Sequence, residues 1–361
     1  MAIEDRPTSA RLPGWLGRLP AEIWRSGTLP GLLIGAAGGA GFDVLGLPAA
    51  WISGAMVAVA AAALSGAAID MPAWLRQLAF IVLGFSMGAN ITPATLAKIA
   101  LWPASLLFLA GSIATTSIAL SSYLRLVHRW DRSTAAFSAV PGAFTYLLAM
   151  AMRSHADVPR VAVTQLIRLL VLTALLPLLL SALEQGAGIA RAALTSSAGP
   201  AELVLALAAC GAVGAVCERL NLPAGTLLGA MFASVLVHGS GLTDARLSPG
   251  LLIPGYVVTG TFVGLRFKGV SLRLILETLV AGLITVMLGL IVAGGFALAA
   301  ATLLDLPLDQ LLLAYAPGGV DVMAILALAL GLDPAFVGVH HALRFMTLSV
   351  ALPVWLRRHL R

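Results

Sequence analysis

Two stretches of similar sequence decide how this chain folds: SAVPGA at residues 138–143 and AYAPGG at residues 314–319, each inside an apolar segment. Proline lacks an amide hydrogen and glycine tolerates most backbone angles, so each stretch predicts a helix that breaks or unwinds. For either stretch alone, a simple proline kink is the alternative. Lipid penalises exposed backbone groups, so broken helices are tolerated where they line a cavity. Interruptions at matching positions of two halves are typical of a secondary transporter.

The spacing of 175 or 176 residues extends to much of the chain. The tripeptide LPA at 47–49 recurs at 222–224, and Arg168 recurs as Arg344. The pair Gly84 and Gly88, which permits close helix packing, recurs as Gly260 and Gly264. We therefore predict two homologous membrane repeats, 29–184 and 200–361, joined by a linker at 185–199 and preceded by an N-terminal segment at 1–28.

The N-terminal segment is predicted to be amphipathic and interfacial. Arg11, Arg18 and Arg25 are spaced by seven residues among leucines and tryptophans, which suits a short helix lying in the headgroup region. No continuous apolar run followed by a cleavage site precedes Thr28, so we do not expect a cleavable signal.

Composition places the chain in the membrane. Hydrophobic residues make up 60% of it and charged residues 11%, against roughly 25% charged in soluble proteins. We expect an all-α polytopic protein with about 10–12 transmembrane helices, counting each Pro-Gly segment as a span and noting that the first and seventh spans are short. A count of six per half makes the repeats parallel, but places Arg266, Lys268 and Arg273 outside, against the positive-inside rule. An odd count would invert the repeats, and the sequence leaves both open.

The net charge of +6 indicates anchoring to lipids. Basic residues cluster at Arg125, Arg129 and Arg132 and again at the C-terminus, flanking spans as cytoplasmic loops do. No basic domain lies outside the apolar segments, so we expect no nucleic-acid partner. No metal-spaced cysteine and histidine set or phosphate-binding loop occurs, so we expect no metal and no cofactor.

Asp321 is the acid expected to carry function. It follows Pro317 by four residues inside a span, where a buried acid costs about 2.5–3.5 kcal/mol, and such residues are proton, cation or substrate sites by default. Arg168 and Arg344, each deep in the last span of its half, are its expected partners. A purely structural ion pair is the alternative.

His340 and His341 lie beside Arg344. Histidine changes charge near neutral pH, so the pair could relay protons or hold an anion; a cap at a helix end is the alternative. Asp157 and Asp333 precede the last span of each half and are predicted N-caps. The predicted substrate and ion site also includes Pro141, Gly142, Thr145, Pro317, Gly318 and Gly319.

Several of these residues carry a resemblance to a known family. The run from Ala316 to Gly319, the segment 327–337 and the group His340-His341-xx-Arg344 resemble the bacterial AbrB-type inner-membrane family. The resemblance implies a multi-pass protein of the bacterial inner membrane with this duplication. Members are described as regulators of gene expression or named ammonia monooxygenases. A copper or iron site needs several convergent ligands, and adjacent histidines on a helix point about 100° apart, so we expect no enzyme.

The preferred hypothesis is a secondary transporter that moves a small anionic or polar solute coupled to H⁺ or Na⁺. Half-helix ends with Arg168 or Arg344 would bind the solute, and Asp321 or the histidine pair would carry the coupling charge. The alternative is a membrane sensor that binds a ligand and affects gene expression indirectly. Homodimerisation, the substrate and the coupling ion are left open.

Overall fold

The computed structural model describes residues 27–89, 98–142, 144–183 and 199–359, the last eight by backbone alone. All regular structure within these ranges is helical, which confirms the predicted all-α fold. The N-terminal interfacial segment and the linker at 185–199 fall outside the described residues, apart from residues 27, 28 and 199.

The described residues of the first half form seven helices. They are α1 (Thr28–Val44), α2 (Ala50–Leu64), α3 (Ala73–Ala89), α4 (Trp102–Leu126, preceded by a 3-10 turn), α5 (Arg132–Ala139), α6 (Phe144–Ala151) and α7 (Val158–Leu183). The predicted break at Pro141-Gly142 is confirmed, because α5 ends before it and α6 begins after it.

The second half repeats this series. Its helices are α8 (Pro200–Arg219), α9 (Gly225–Gly239), α10 (Pro249–Gly264, followed by a 3-10 turn to Phe267), α11 (Leu272–Leu304), α12 (Leu308–Tyr315), α13 (Val320–Ala329) and α14 (Pro334–His359). The break at 316–319 separates α12 from α13 as predicted. Five helices in the described ranges, including α4, α7 and α11, are long and apolar enough to cross a bilayer, so the protein is polytopic.

The recurring glycines reveal the relative direction of the two halves. A Cβ added to Gly84 would lie 2.4 Å from the Leu227 carbonyl oxygen, and one added to Gly88 would lie 2.4 Å from that of Met231. Helix α3 therefore runs parallel to α9. In the other half, Gly260 and Gly264 pack in the same way along 52–60, so α10 runs parallel to α2.

These contacts show that the repeats are inverted. The Arg76 guanidinium lies over the Phe262 ring at 4.8 Å, and Gly255 packs against Leu83, so α3 and α10 are antiparallel. Because α10 is parallel to α2, α2 and α3 run in opposite directions. Helix α9 is the counterpart of α2 but runs parallel to α3. The two halves therefore have opposite orientations.

The first Pro-Gly segment does not cross the bundle. The Asp157 amide, just before α7, donates to Thr134 Oγ1 near the start of α5 at 2.7 Å. The Arg160 guanidinium lies 5.9 Å from the Trp130 ring. The chain therefore leaves α6 at the face where it entered α5, and α5 and α6 form a re-entrant hairpin.

The second Pro-Gly segment is a hairpin from the opposite face. Helices α4 and α14 are parallel, because Trp102 contacts Phe336 and Ser105 contacts His340. Helices α4 and α11 are antiparallel, since Gly111 packs near Phe296 while Gly289 packs near Thr116 and Leu120 on the next turns. Helix α11 thus ends where α14 begins, and α12 and α13 enter and leave there.

The described helices therefore comprise two hairpins and ten helices that run from one face of the bundle to the other, five of the ten being long and apolar enough to cross a bilayer. Ten lies within the expected range of ten to twelve, but the number falls below twelve because the hairpins fold back and not because the first and seventh spans are short. Treating each Pro-Gly segment as a span was wrong, because each folds back on itself. The odd number of crossings per half is what inverts the repeats.

This topology places most of the described basic residues on one face of the bundle. One face, which we call the cationic face, contains the loops at 65–72, 127–131, 152–157 and 265–271. Its basic residues are Arg76, Arg125, Arg129, Arg132, Arg153, Arg160, Arg219, Arg266, Lys268 and Arg273. The described loops and helix ends of the opposite face contain the two bases Lys98 and Arg246, whereas acids lie on both faces. Inversion resolves the conflict over Arg266, because it places Arg266, Lys268 and Arg273 on the same face as the other clustered basic residues.

The two predicted N-caps are confirmed. Asp157 Oδ1 accepts from the Arg160 amide at 3.1 Å, and Asp333 Oδ1 accepts from the Ala335 and Phe336 amides at 2.9 and 3.1 Å. Burial raises the pKa of the Asp333 carboxyl, while its two amide hydrogen bonds oppose that shift.

The close contact between α3 and α9 makes a stability prediction. Gly84→Ala should destabilise the protein by about 1–3 kcal/mol, because the new methyl group meets backbone that cannot move aside cheaply. The measurement is the unfolding midpoint of purified protein in mild detergent. Gly295→Ala is the matched control, since nothing lies within 4 Å of its added Cβ on α11. Equal midpoints for the two variants would show that α3 and α9 are not in tight contact.

Candidate functional site

The tips of the two hairpins meet inside the bundle. Gly142 has φ 87°, a conformation that favours glycine. A Cβ added there would lie 3.6 Å from the Gly318 carbonyl oxygen and 3.6 Å from Arg344 Nε. The structure thus brings together Pro141-Gly142, Pro317-Gly318 and Arg344, five of the predicted site residues.

Arg344 binds the tip of the second hairpin. Its Nη1 donates to the Ala316 carbonyl at 2.7 Å, and its Nη2 donates to the Gly318 carbonyl. The same Nη2 contacts His341 Nδ1. Only 3% of Arg344 is exposed. The last carbonyls of a helix have no partner within it, so this guanidinium supplies donors that the broken helix α12 lacks.

Arg168 occupies the equivalent position at the first hairpin. Its Nη1 and Nη2 lie 3.4 and 3.3 Å from the Val140 carbonyl, and Nη2 also donates to Gln165 Oε1. Gln165 Nε2 donates to the Phe137 and Val140 carbonyls at 2.9 and 3.1 Å. His341 is the counterpart of Gln165, and its Nε2 lies 3.1 Å from the Leu313 carbonyl. The two arginine sites are thus related by the inverted repeat.

Neither arginine has an acidic partner. Among the described residues, no carboxylate lies within 4 Å of Arg168 or Arg344. The expectation that they pair with Asp321 is wrong, because that acid binds Arg266. Two guanidinium charges therefore converge on the hairpin tips with backbone carbonyls as their acceptors. Carbonyl dipoles compensate a buried charge only in part.

Asp321 lies in the first turn of α13, the second hairpin's outgoing helix. Its Oδ2 is 3.4 Å from Arg266 Nη2, and the side chains are 15% and 21% exposed. The Arg266 guanidinium also lies 5.8 Å from the ring of Phe144, the first residue of α6, and 5.1 Å from that of Phe262. Arg266 thus connects the scaffold helix α10 to both hairpins. Thr145, the counterpart of Asp321, is exposed in the first turn of α6.

The two histidines are fully buried, which contradicts the alternative of an interfacial cap. His340 Nδ1 lies 2.8 Å from the Phe336 carbonyl, and its Nε2 lies 3.0 Å from Ser105 Oγ. Tyr315 donates to the Ser105 carbonyl at 2.6 Å. A nitrogen that faces a carbonyl donates to it, so Nδ1 of His340 and Nε2 of His341 each carry a proton. Both rings therefore brace the second hairpin against α4 and α14.

Two further features make the tip region electropositive and polar. Helices α6 and α13 begin directly after the two tips, and the N-terminus of a helix carries a partial positive charge. Gly319, the N-cap of α13, supplies no side-chain cap. Ser138, near the end of α5, has a buried hydroxyl that finds no hydrogen-bond partner within the described part of the chain. No repeated pattern marks Ser138, because its counterpart in the second half is Ala314.

A cavity of about 550 Å³ leads from Arg344 toward the cationic face. It lies between α4, α5 and α14. Its polar lining is Ser117, Ser121, Ser122, Arg125, Arg132, Arg344 and Thr347, and the rest is apolar. Sequence reasoning assigned Arg125 and Arg132 to a loop and missed this role. The spacing of four between Ser117, Ser121 and Arg125, which puts them on one helix face, was the available signal.

Comparison with known proteins identifies the family. A family model described as "Transition state regulatory protein AbrB" matches residues 20–359. The chain belongs to this AbrB family. The resemblance inferred from the Pro-Gly-Gly and His-His-xx-Arg motifs is thereby confirmed.

Two curated relatives match nearly the whole chain. "Putative regulator AbrB" of Escherichia coli (strain K12) is 26% identical over 319 residues, covering 87% of this chain and 90% of the relative. "Uncharacterized protein YhjN" of Bacillus subtilis (strain 168) is 26% identical over 367 residues, covering 90% of this chain and 91% of the relative. The AbrB family match therefore extends over both repeats and both hairpins.

Proposed function

We propose that this AbrB family member is an ion-coupled secondary transporter of a small anion in the bacterial inner membrane. The single observation that carries the proposal is the pair of buried arginines, Arg168 and Arg344, which bind the carbonyls of the two hairpin tips and have no carboxylate within 4 Å among the described residues. A buried charge without a counter-charge is strongly unfavourable, so the site is suited to an anion that supplies it. The beginnings of α6 and α13 add partial positive charge at the same place.

The architecture supports transport. Inverted repeats with a site at their interface allow one bundle to expose the same site to either face in turn. Here each face contributes one hairpin, and the tips meet at Gly142 and Gly318. A small shift of either hairpin would move the carbonyls that Arg168 and Arg344 hold. We propose no chemical reaction at this site, since these groups bind and position charge.

Asp321 is the proposed coupling group. Its ion pair with Arg266 is part-exposed, so a proton or Na⁺ could reach it, and Arg266 touches both hairpins. Neutralising the carboxylate would release Arg266 from α13 while leaving it packed against Phe144. This would link the charge of one group to the position of the hairpins.

The test is solute-dependent charge movement in proteoliposomes, with a panel of small anions offered with and without a pH or Na⁺ gradient. Wild type should respond to at least one anion, and Asp321→Asn should lose gradient-driven accumulation while retaining exchange of anion for anion. Glu277→Gln is the matched control, because Glu277 pairs with Arg273 on the surface. Full gradient-driven accumulation by Asp321→Asn would refute its coupling role.

A membrane sensor is the second candidate. The observation in its favour is the description of the Escherichia coli relative as a regulator. A sensor would bind an anion at Arg344 and signal through a hairpin shift, with no translocation. Anion-induced thermal stabilisation without transport of that anion would select this alternative.

A further inference from the structure

We propose that the cavity between α4, α5 and α14 admits small organic acids with an apolar body from the cytoplasm. This rests on the proposed anion site at Arg344 and names the substrate class and the side from which it loads. Four observations carry it: the route of the cavity, the chemistry of its walls, the difference from its counterpart in the other repeat, and the charge of the face where it opens.

The route runs from the cationic face to the hairpin tips. The contact between Ser105 and His340 sets the register of α4 and α14, which places Arg344 near Leu109. Arg125 lies sixteen residues further along α4, which is about 24 Å at the rise of an α-helix. Both arginines line the same cavity, so an anion that enters beside Arg125 has a continuous path to Arg344.

The walls change in character along this path. Near the cationic face, Arg125 and Arg132 are exposed, and Ser121 and Ser122 line the passage. Cations at a mouth of this kind raise the local concentration of anions. Around Arg344 the walls are apolar except for Thr347, which lies one turn along α14. They are formed by Leu106, Leu109, Val140, Leu343 and Leu348.

The inner end of the cavity is therefore suited to a ligand that has both an acid group and an apolar body. An acid group would bind the Arg344 guanidinium, and an apolar remainder would cover the surrounding leucines. An inorganic anion would satisfy Arg344 but leave this apolar wall uncovered. Binding should therefore strengthen as the apolar body of the acid grows.

The equivalent path in the other repeat lacks these polar groups. The counterparts of Ser117, Ser121 and Arg125 are Ala293, Ala297 and Ala301. Ala293 and Ala297 are buried in the apolar core. The polar route is thus not duplicated, and it leads only to the cationic face, which the positive-inside rule assigns to the cytoplasm.

The test uses cysteine labelling in membrane vesicles. Ser121→Cys and its counterpart Ala297→Cys are made in a background where Cys210 and Cys217 are replaced by alanine. Each is treated with a membrane-impermeant maleimide in inside-out and right-side-out vesicles, with acetate, butyrate, hexanoate, sulfate or hexylamine present. We expect Ser121→Cys to react in inside-out vesicles only and Ala297→Cys to react in neither.

Protection from labelling reports the ligand. Carboxylates should protect Ser121→Cys increasingly with chain length, by up to about fourfold per added methylene, the value of burying one such group. Sulfate should protect weakly, and hexylamine should not protect. Reaction from the periplasmic side would overturn the assigned side. Protection by sulfate equal to that by hexanoate, or displacement of hexanoate only by anionic phospholipid vesicles, would overturn the substrate class.

Labelling and protection need no gradient, so they separate this inference from the proposed transport. Protected labelling in a protein that moves no anion would uphold the cytoplasmic acid site and refute transport. Transport of an anion that never protects Ser121→Cys would uphold transport and refute this path.

Discussion

Arg344→Met is expected to abolish anion binding. Removing one partner of a buried charge pair costs about 3–5 kcal/mol, so the dissociation constant should rise by more than about 100-fold. Arg344→Lys keeps the charge but loses the fork that reaches both the Ala316 and Gly318 carbonyls, so it should bind only weakly. The measurement is isothermal titration calorimetry with an anion that stabilises the wild type.

Arg168→Met is the control that separates binding from hairpin support. Both arginines hold the carbonyls of a broken helix, but Arg344 lines the cavity and Arg168 does not appear in its lining. Both variants should lose stability, and Arg344→Met should weaken anion binding much more than Arg168→Met in the same titration, because only Arg344 lines the cavity. If both unfold more easily and both still bind the anion, the arginines serve only as helix caps. Arg273→Met, an exposed surface change, should affect neither property.

Much of this fold could be predicted because the two halves of the chain have similar sequences. The matching positions of Arg168 and Arg344, and of the two Pro-Gly pairs, depend only on counting residues. Helix breaks follow from the covalent chemistry of proline and glycine. These properties are local, so one sequence suffices to find them.

The path of each Pro-Gly segment and the relative orientation of the two halves could not be predicted, because both depend on contacts between distant segments. A broken apolar segment of about twenty residues has the same composition whether it crosses the membrane or folds back on itself. The contact between Asp157 and Thr134 shows that the first segment folds back on itself. Nothing in the local sequence around either residue predicts this contact. With both hairpins counted as spans, the repeats could be read as parallel, and the basic residues near Arg266 then appeared to lie on the wrong side.

The partner of Asp321 was mispredicted for the same reason. Arg168 and Arg344 were the charged residues placed deep in spans, so they were the natural choice by depth. The true partner, Arg266, follows α10 in a 3-10 turn and reaches Asp321 only because the hairpin folds toward that helix end. Hydropathy predicts which segments lie within the membrane. It carries no information about which segments are neighbours in the folded protein, so it could not identify Arg266 as the partner.

Gly142→Ala is expected to abolish transport with only a modest loss of stability. An L-residue at φ 87° is strained by about 1–2 kcal/mol, and the added methyl group would sit between Arg344 Nε and the Gly318 carbonyl. Gly66→Ala is the matched control, because Gly66 has φ 86° and nothing lies within 4 Å of its added Cβ. The two variants should therefore lose similar stability in thermal unfolding.

Transport in proteoliposomes distinguishes them. Gly66→Ala should transport like the wild type, since its strain lies in the loop between α2 and α3, away from the tips. Gly142→Ala should not transport, because each hairpin must move past the other at the point where the tips touch. Normal transport by Gly142→Ala would show that the first hairpin is not part of the moving site. The second hairpin with Arg344 would then act alone, which is the arrangement expected of a sensor.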